Sequence, residues 1–275
     1  RYIACKTITS LTRLPIGTIK KLLLLFKSRT ILALISLLPK RFATLYSDCF
    51  FTSSPRRYLR SDWTIDQFFE YANSVGCRYA VLRWWELLNE PNFFHTEDVD
   101  ILVLDSDRYL LDHAFVTYNT GRAFDIYTVY GKNNGSFCGS PYFSVRLAQD
   151  ILADRIIYHN KVWIPSPKHF FASLTYHVLF HKGPASGVMG FNILRHVEPD
   201  HNYTSLLQGI APTIDLDINI TVDELYDYLK RNDYLPPPDS ISFQARTSAW
   251  LSSFLPENSS CHEDFHLCLL SLIHI

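Results

Sequence analysis

No uncharged apolar run in this sequence approaches the roughly 20 residues that a bilayer-spanning helix needs. Net charge is almost absent too, at -1 over 275 residues. That excludes a protein that wraps nucleic acid through bulk positive charge, while leaving room for a local basic site. The six cysteines, at positions 5, 49, 77, 138, 261 and 268, lack the close pairing of a zinc knuckle. They are also too sparse to staple a small secreted scaffold, so they are expected to be reduced. No G-x-S-x-G elbow, Walker loop or dinucleotide fingerprint occurs, which removes the usual serine-hydrolase, P-loop and Rossmann readings. Glycine is scarce at 10 residues and Met189 is the single methionine. With Arg1 in first place, a truncated or processed N-terminus is expected.

What is there has the composition of a folded domain: 47% hydrophobic, 19% charged and 15% aromatic residues. Four segments are expected. Residues 1–60 read as a basic, leucine-rich, helical N-terminal extension, because Leu22–Phe26 and Ile31–Leu38 are flanked by Lys20, Lys21, Lys40 and Arg41. Such a stretch suits an amphipathic helix on a membrane surface, with contact through residues 18–41, or a helix or two packed on the domain. The expected location is accordingly cytoplasmic and peripheral at a membrane. Residues 61–185 read as the core, 186–267 as a mostly helical and incomplete C-terminal region, and 268–275 as a non-native tail that resembles translated adaptor sequence.

Within the core, Thr64-Ile65-Asp66-Gln67 has capping-box spacing and predicts a helix to about Asn73, with Phe68, Phe69 and Ala72 facing inward. Strands are expected over Arg78–Leu82, from Ile101 to Leu104, over Ala123–Tyr130 and over Lys161–Ile164. A helical turn is expected over Trp84–Leu88, and a short helix capped by Asp105 or Ser106 is expected to run through Leu111. Further helices are expected over Val145–Tyr158, from Ser166 to about Lys182, and over Thr221–Lys230.

The chemistry concentrates in carboxylates. Residues two apart on a strand share a face, so Asp98 and Asp100 can grip one hard cation from one side. Asp125 sits between Phe124 and Ile126 in an otherwise apolar strand, where an unpaired charge is costly, and therefore needs a cation or a donor. It can be the third acid of a metal site, or it can pair with Arg122 or Arg83. A nucleotide-sugar glycosyltransferase also uses D-x-D, but usually after a hydrophobic strand, whereas these acids precede one. His177 and His181 share a helix face without the glutamate of a zinc-protease helix.

Val81-Leu82-Arg83, followed at a distance by Glu97-Asp98-Val99-Asp100-Ile101-Leu102-Val103, resembles the DNA polymerase beta-like nucleotidyltransferase superfamily. More narrowly, it resembles the divergent members found beside polysaccharide-synthesis genes. The resemblance spans roughly Trp63 to Gly183. It implies an α+β fold, a nucleotidyltransferase-like mixed sheet flanked by helices, with helical N-terminal and C-terminal extensions. It also implies two Mg²⁺ ions held by Asp98, Asp100 and Asp125, with a nucleoside triphosphate as substrate. The acceptor would be a small molecule or glycan precursor. The superfamily's Gly-Ser pair before the acids is absent; Arg83 is the phosphate contact expected in its place, and Lys182 a second one. The alternatives are a catalytically inactive module of the same fold that binds a nucleotide or partner, and a transferase of phosphorylated alcohols onto sugars.

Overall fold

The computed structural model describes residues 55–88, 98–116, 121–137, 139–191, 198–245 and 248–256. All belong to one structural unit that begins at Ser54. The expected N-terminal extension up to residue 54, its membrane contact at 18–41 and the tail at 268–275 lie outside the described residues.

Seven strands form among the described residues: β1 Arg56–Leu59, β2 Tyr79–Val81, β3 Val99–Val103, β4 Phe115–Val116, β5 Ala123–Thr128, β6 Ile156–Tyr158 and β7 Val162–Ile164. Five make a mixed sheet in the order β2-β3-β5-β1-β4, and β6 and β7 form a separate hairpin. At its centre β3 and β5 run parallel, with Asp100 opposite Asp125. β1 pairs antiparallel with β5 and sets Arg56 opposite that same Asp125. Sequence reasoning left Arg56–Leu59 in the N-terminal extension, but these residues are an interior strand of the sheet.

Helices cover the sheet. Helix α1 spans Ile65–Ser74, and both halves of its capping box form between Thr64 and Gln67. Helix α2 spans Val145–Ala153, α3 Pro167–Tyr176, α4 Tyr203–Ile210, α5 Val222–Arg231 and α6 Pro238–Ala245. The periodicity that predicted one helix over Val145–Tyr158 misleads after Ala153, because Ile156–Tyr158 leaves the helix to pair with Val162–Ile164. The short helix expected from Asp105 runs as a 3₁₀ helix to Ala114 without a side-chain cap. Asp105 is used elsewhere: its carboxylate accepts the main-chain N–H groups of Tyr130 and Lys132 and so pins the turn after β5.

Alternation along the strands sorts the core into two layers. Ile101, Val103, Phe124 and Ile126 pack with Phe68, Phe69 and Ala72 of α1 on one face. Leu102 and Tyr127 point to the other face and pack with residues of α2, α3, α4 and α5. Asp100 has the parity of Leu102, and Asp125 that of Tyr127. Both acids therefore open onto the helix-rich face, at the end of the parallel pair. No helix among the described residues is long and apolar enough to cross a membrane.

Candidate functional site

A pocket of about 290 Å³ opens where β3 and β5 begin, between the sheet and the C-terminal end of α3. All five residues singled out from sequence line it: Arg83, Asp98, Asp100, Asp125 and Lys182. Two features of the chain bring them together. The parallel register puts Asp100 beside Asp125, and Asp98 shares their parity one residue before β3. After Tyr176, α3 continues as a π-helical segment over His177–Lys182, which delivers His177, His181 and Lys182 to the opposite wall. Gly183 ends that segment at a φ of +55°, with the indole of Trp250 where a Cβ would stand, so only glycine fits.

Each acid already has a cationic partner. The Arg56 guanidinium lies on Asp125 in a two-pronged contact, Nε to Oδ1 at 3.0 Å and a terminal nitrogen to Oδ2 at 3.1 Å. The same terminal nitrogen also contacts Asp98. Arg83, which is buried, pairs with Asp100 and donates to the Tyr142 hydroxyl at 3.0 Å. Asp125 was expected to pair with Arg122 or Arg83 if it served no cation; its partner is instead Arg56, 69 positions away. Lys182 pairs with Asp200, a residue that no sequence pattern marked.

Burial pushes the Asp100 carboxyl above its usual range. Arg83 opposes that shift, while the like charges of Asp125 and Asp98 add to it. The Asp125 hydrogen bond holds Arg56 still more firmly protonated than an ordinary arginine, outweighing the opposing effect of its burial.

The inner wall is aromatic and neutral. Tyr127 stacks on Tyr142 at 3.8 Å between ring centroids, and Phe137 and His181 close around Tyr142. His177 Nδ1 lies 2.7 Å from the Tyr142 hydroxyl, and its Nε2 lies 3.3 Å from that of Tyr203. Burial, followed by the positive charge of Arg83, takes His177 well below the ordinary imidazole value and takes His181 down to about 3. Both rings are thus uncharged at neutral pH, and His177 serves as a hydrogen-bond bridge. The shared helix face noted in the sequence is real, but the two histidines sit in an aromatic cluster rather than as a ligand pair.

At the rim, Trp84 takes a left-handed backbone at φ 57° and sets its ring 4.5 Å from that of His201. A bulky residue in this region is strained, and such strain clusters at binding sites. Trp84 follows Arg83 directly and was legible as a neighbour of the motif. Arg56, Tyr142, Asp200 and His201 were not, because only tertiary pairing brings them here.

The donor chemistry of the three acids fits a hard divalent cation, which takes carboxylate oxygens. Their present arrangement does not close on one: among the described residues no group of three or more His, Cys, Asp or Glu side chains is set to hold a metal ion. Arg56 and Arg83 supply the positive charge instead. No family model, curated protein or solved structure matches the chain.

Proposed function

We propose that this domain is a nucleotidyltransferase-like enzyme that moves a nucleotidyl group from a nucleoside triphosphate to a hydroxyl of a small-molecule or glycan-precursor acceptor. One observation carries the reading: Asp98, Asp100 and Asp125 open into the same pocket as Arg83 and Lys182. Charged groups crowd in this way at functional sites, and a cation on the facing wall, Lys182, suits phosphate oxygens.

Asp98, Asp100 and Asp125 would hold Mg²⁺, which when bound would supply Lewis-acid activation of the acceptor hydroxyl and charge neutralisation at the departing pyrophosphate. Asp125 takes the hydroxyl proton. Arg83 fixes Asp100 from behind through its contacts with that carboxylate and with Tyr142. Lys182, once it leaves Asp200, is the mobile cation for the phosphate chain. The neutral aromatic wall of Tyr127, Phe137, Tyr142 and His181 suits an uncharged part of the substrate, either base or sugar.

A second reading has its own observation. Because each acid has an arginine partner, the pocket is also suited to a module that binds a nucleotide or partner without turning it over. Pyrophosphate release separates the two. The enzyme reading expects release from nucleoside triphosphates with Mg²⁺ and a panel of sugar and sugar-phosphate acceptors, abolished in Asp98→Asn, whose more exposed carboxylate can be neutralised with the fold intact. Nucleotide-induced thermal stabilisation that is equal in both proteins, with no pyrophosphate from either, establishes the binding module and sinks the enzyme.

A further inference from the structure

A chain of hydrogen bonds runs along the pocket wall from Arg83 to Tyr203. The Arg83 guanidinium donates to the Tyr142 hydroxyl at 3.0 Å, that hydroxyl lies 2.7 Å from His177 Nδ1, and His177 Nε2 lies 3.3 Å from the Tyr203 hydroxyl. Arg83, Tyr142, His177 and Tyr203 are all buried, and all line the pocket.

The first member fixes the direction of every bond that follows. A guanidinium carries donors and no acceptor, so Tyr142 accepts from Arg83. A phenol has a single proton, and the other partner of Tyr142 is His177 Nδ1, which therefore receives it. An uncharged imidazole with a bare Nδ1 holds its proton on Nε2, and donates it to the Tyr203 oxygen. With the proton on Nδ1 instead, the Tyr142 oxygen would meet two donors and its own proton would have no acceptor.

The chain ends with a proton to spare. Tyr203 accepts from His177, and among the described residues no acceptor meets its own hydroxyl proton. Tyr203 is 1% exposed, and a buried donor without a partner costs about 1–3 kcal/mol. Packing accounts for the ring, which opens α4 and belongs to the apolar layer on the helix-rich face. It does not account for the hydroxyl, because phenylalanine would fill the same space.

We infer that Tyr203 is a ligand-binding residue of the pocket: its hydroxyl donates to an oxygen of the bound molecule, and the tautomer that Arg83 and Tyr142 impose on His177 keeps that proton free for the ligand. The inference rests on the reading of the pocket as a nucleotide site and adds a neutral donor that selects what binds there. With its oxygen already engaged by His177, Tyr203 offers a proton. The ligand atom it meets is therefore an acceptor oxygen of a phosphate, a sugar or a base carbonyl, and an amino group in that place is disfavoured.

The test is calorimetric titration of the full chain with the Mg²⁺ complexes of ATP, GTP, CTP and UTP and of inorganic tripolyphosphate. Tyr203→Phe, which keeps the buried ring, should bind the tightest of the nucleotides about fivefold more weakly, the worth of about one net hydrogen bond. A loss shared by tripolyphosphate puts the acceptor on a phosphate, and a loss confined to nucleotides puts it on the sugar or base. Tyr142→Phe frees His177 to take the other tautomer and capture the Tyr203 proton, so in that background Tyr203→Phe should cost less than about twofold. Nitrogen-15 resonances of His177 in the unsubstituted chain should show a bare Nδ1 and a protonated Nε2, a readout that holds even if a variant fails to fold. Nucleotide affinity indifferent to Tyr203→Phe, or a His177 proton on Nδ1, overturns this inference and leaves the nucleotide reading standing. Absence of binding by every probe overturns both.

Discussion

The Arg83–Asp100 pair and the Arg56 pairs neutralise the same cluster of acids under opposite conditions. Side chains of the first pair are 8% and 13% exposed, whereas Arg56 is 42% exposed and its partners Asp98 and Asp125 are 34% and 17% exposed. Breaking a buried pair strands a charge in a poorly solvated place, so its partners are bound to each other by the cost of separation. An exposed pair has water as an alternative and contributes little to stability, typically below about 1 kcal/mol. Identical chemistry thus yields a structural anchor on the β2 side of the acids and an exchangeable contact on the β1 side.

The largest effect should come from the anchor. Arg83→Met leaves Asp100 buried without its cation and should cost about 3–5 kcal/mol in denaturant unfolding. Adding Asp100→Leu should recover most of that loss; a double variant no more stable than the single one breaks the comparison. The single variant should also lose stability as pH rises. Its Asp100 carboxyl, already raised by burial, rises further without Arg83. Stability that is present below the ordinary carboxylate pKa is then lost as pH climbs through the raised one.

A middle case is Arg78–Asp107, in which the acid is buried and the arginine is half exposed. The Arg78 hydrogen bond lowers Asp107 from 3.8 to about 2. A depressed folded pKa gives stability that is complete above about pH 4 and disappears as pH falls toward 2. Asp107→Asn should flatten that acid limb in pH-dependent melting without altering the behaviour near neutrality. An unchanged limb would mean that the contact is no stronger than a surface pair.

The smallest effect on stability is expected at Lys182–Asp200, which is substantially solvated on the Asp200 side. Lys182→Ala should change unfolding free energy by less than about 1 kcal/mol. It should nevertheless weaken nucleoside triphosphate binding by about tenfold, since charge-assisted bonds to phosphate are worth about 1.5–3 kcal/mol. Calorimetric titration would measure both the affinity and its loss.

Local signals in the chain carried far. Thr64 and Gln67 announced α1 because both halves of a capping box lie within one turn. Asp98, Asp100 and Asp125 were legible as a set because strand parity is a property of sequence, and an acid between Phe124 and Ile126 demands a partner. Reading failed where pairing was remote. Nothing in Arg56-Arg57-Tyr58-Leu59 marks an interior strand until Asp125 is placed opposite Arg56. The helix expected to run to Tyr158 stops at Ala153 because β7 offers the next residues a ladder, which periodicity cannot foresee.

By itself the sequence determined which acids would share a face, where three of the helices covering them, α2, α3 and α5, would start, and that Lys182 and Gly183 would close a helix. These are consequences of short-range geometry: two residues per strand repeat, one turn per cap. Only the tertiary structure decided which cation meets each acid, which of those cations is sealed and which exposed, and that a π-helical turn brings Lys182 across from Asp98. Charge partners are chosen by distance through space, and the chain's fold brings together residues that its order keeps far apart.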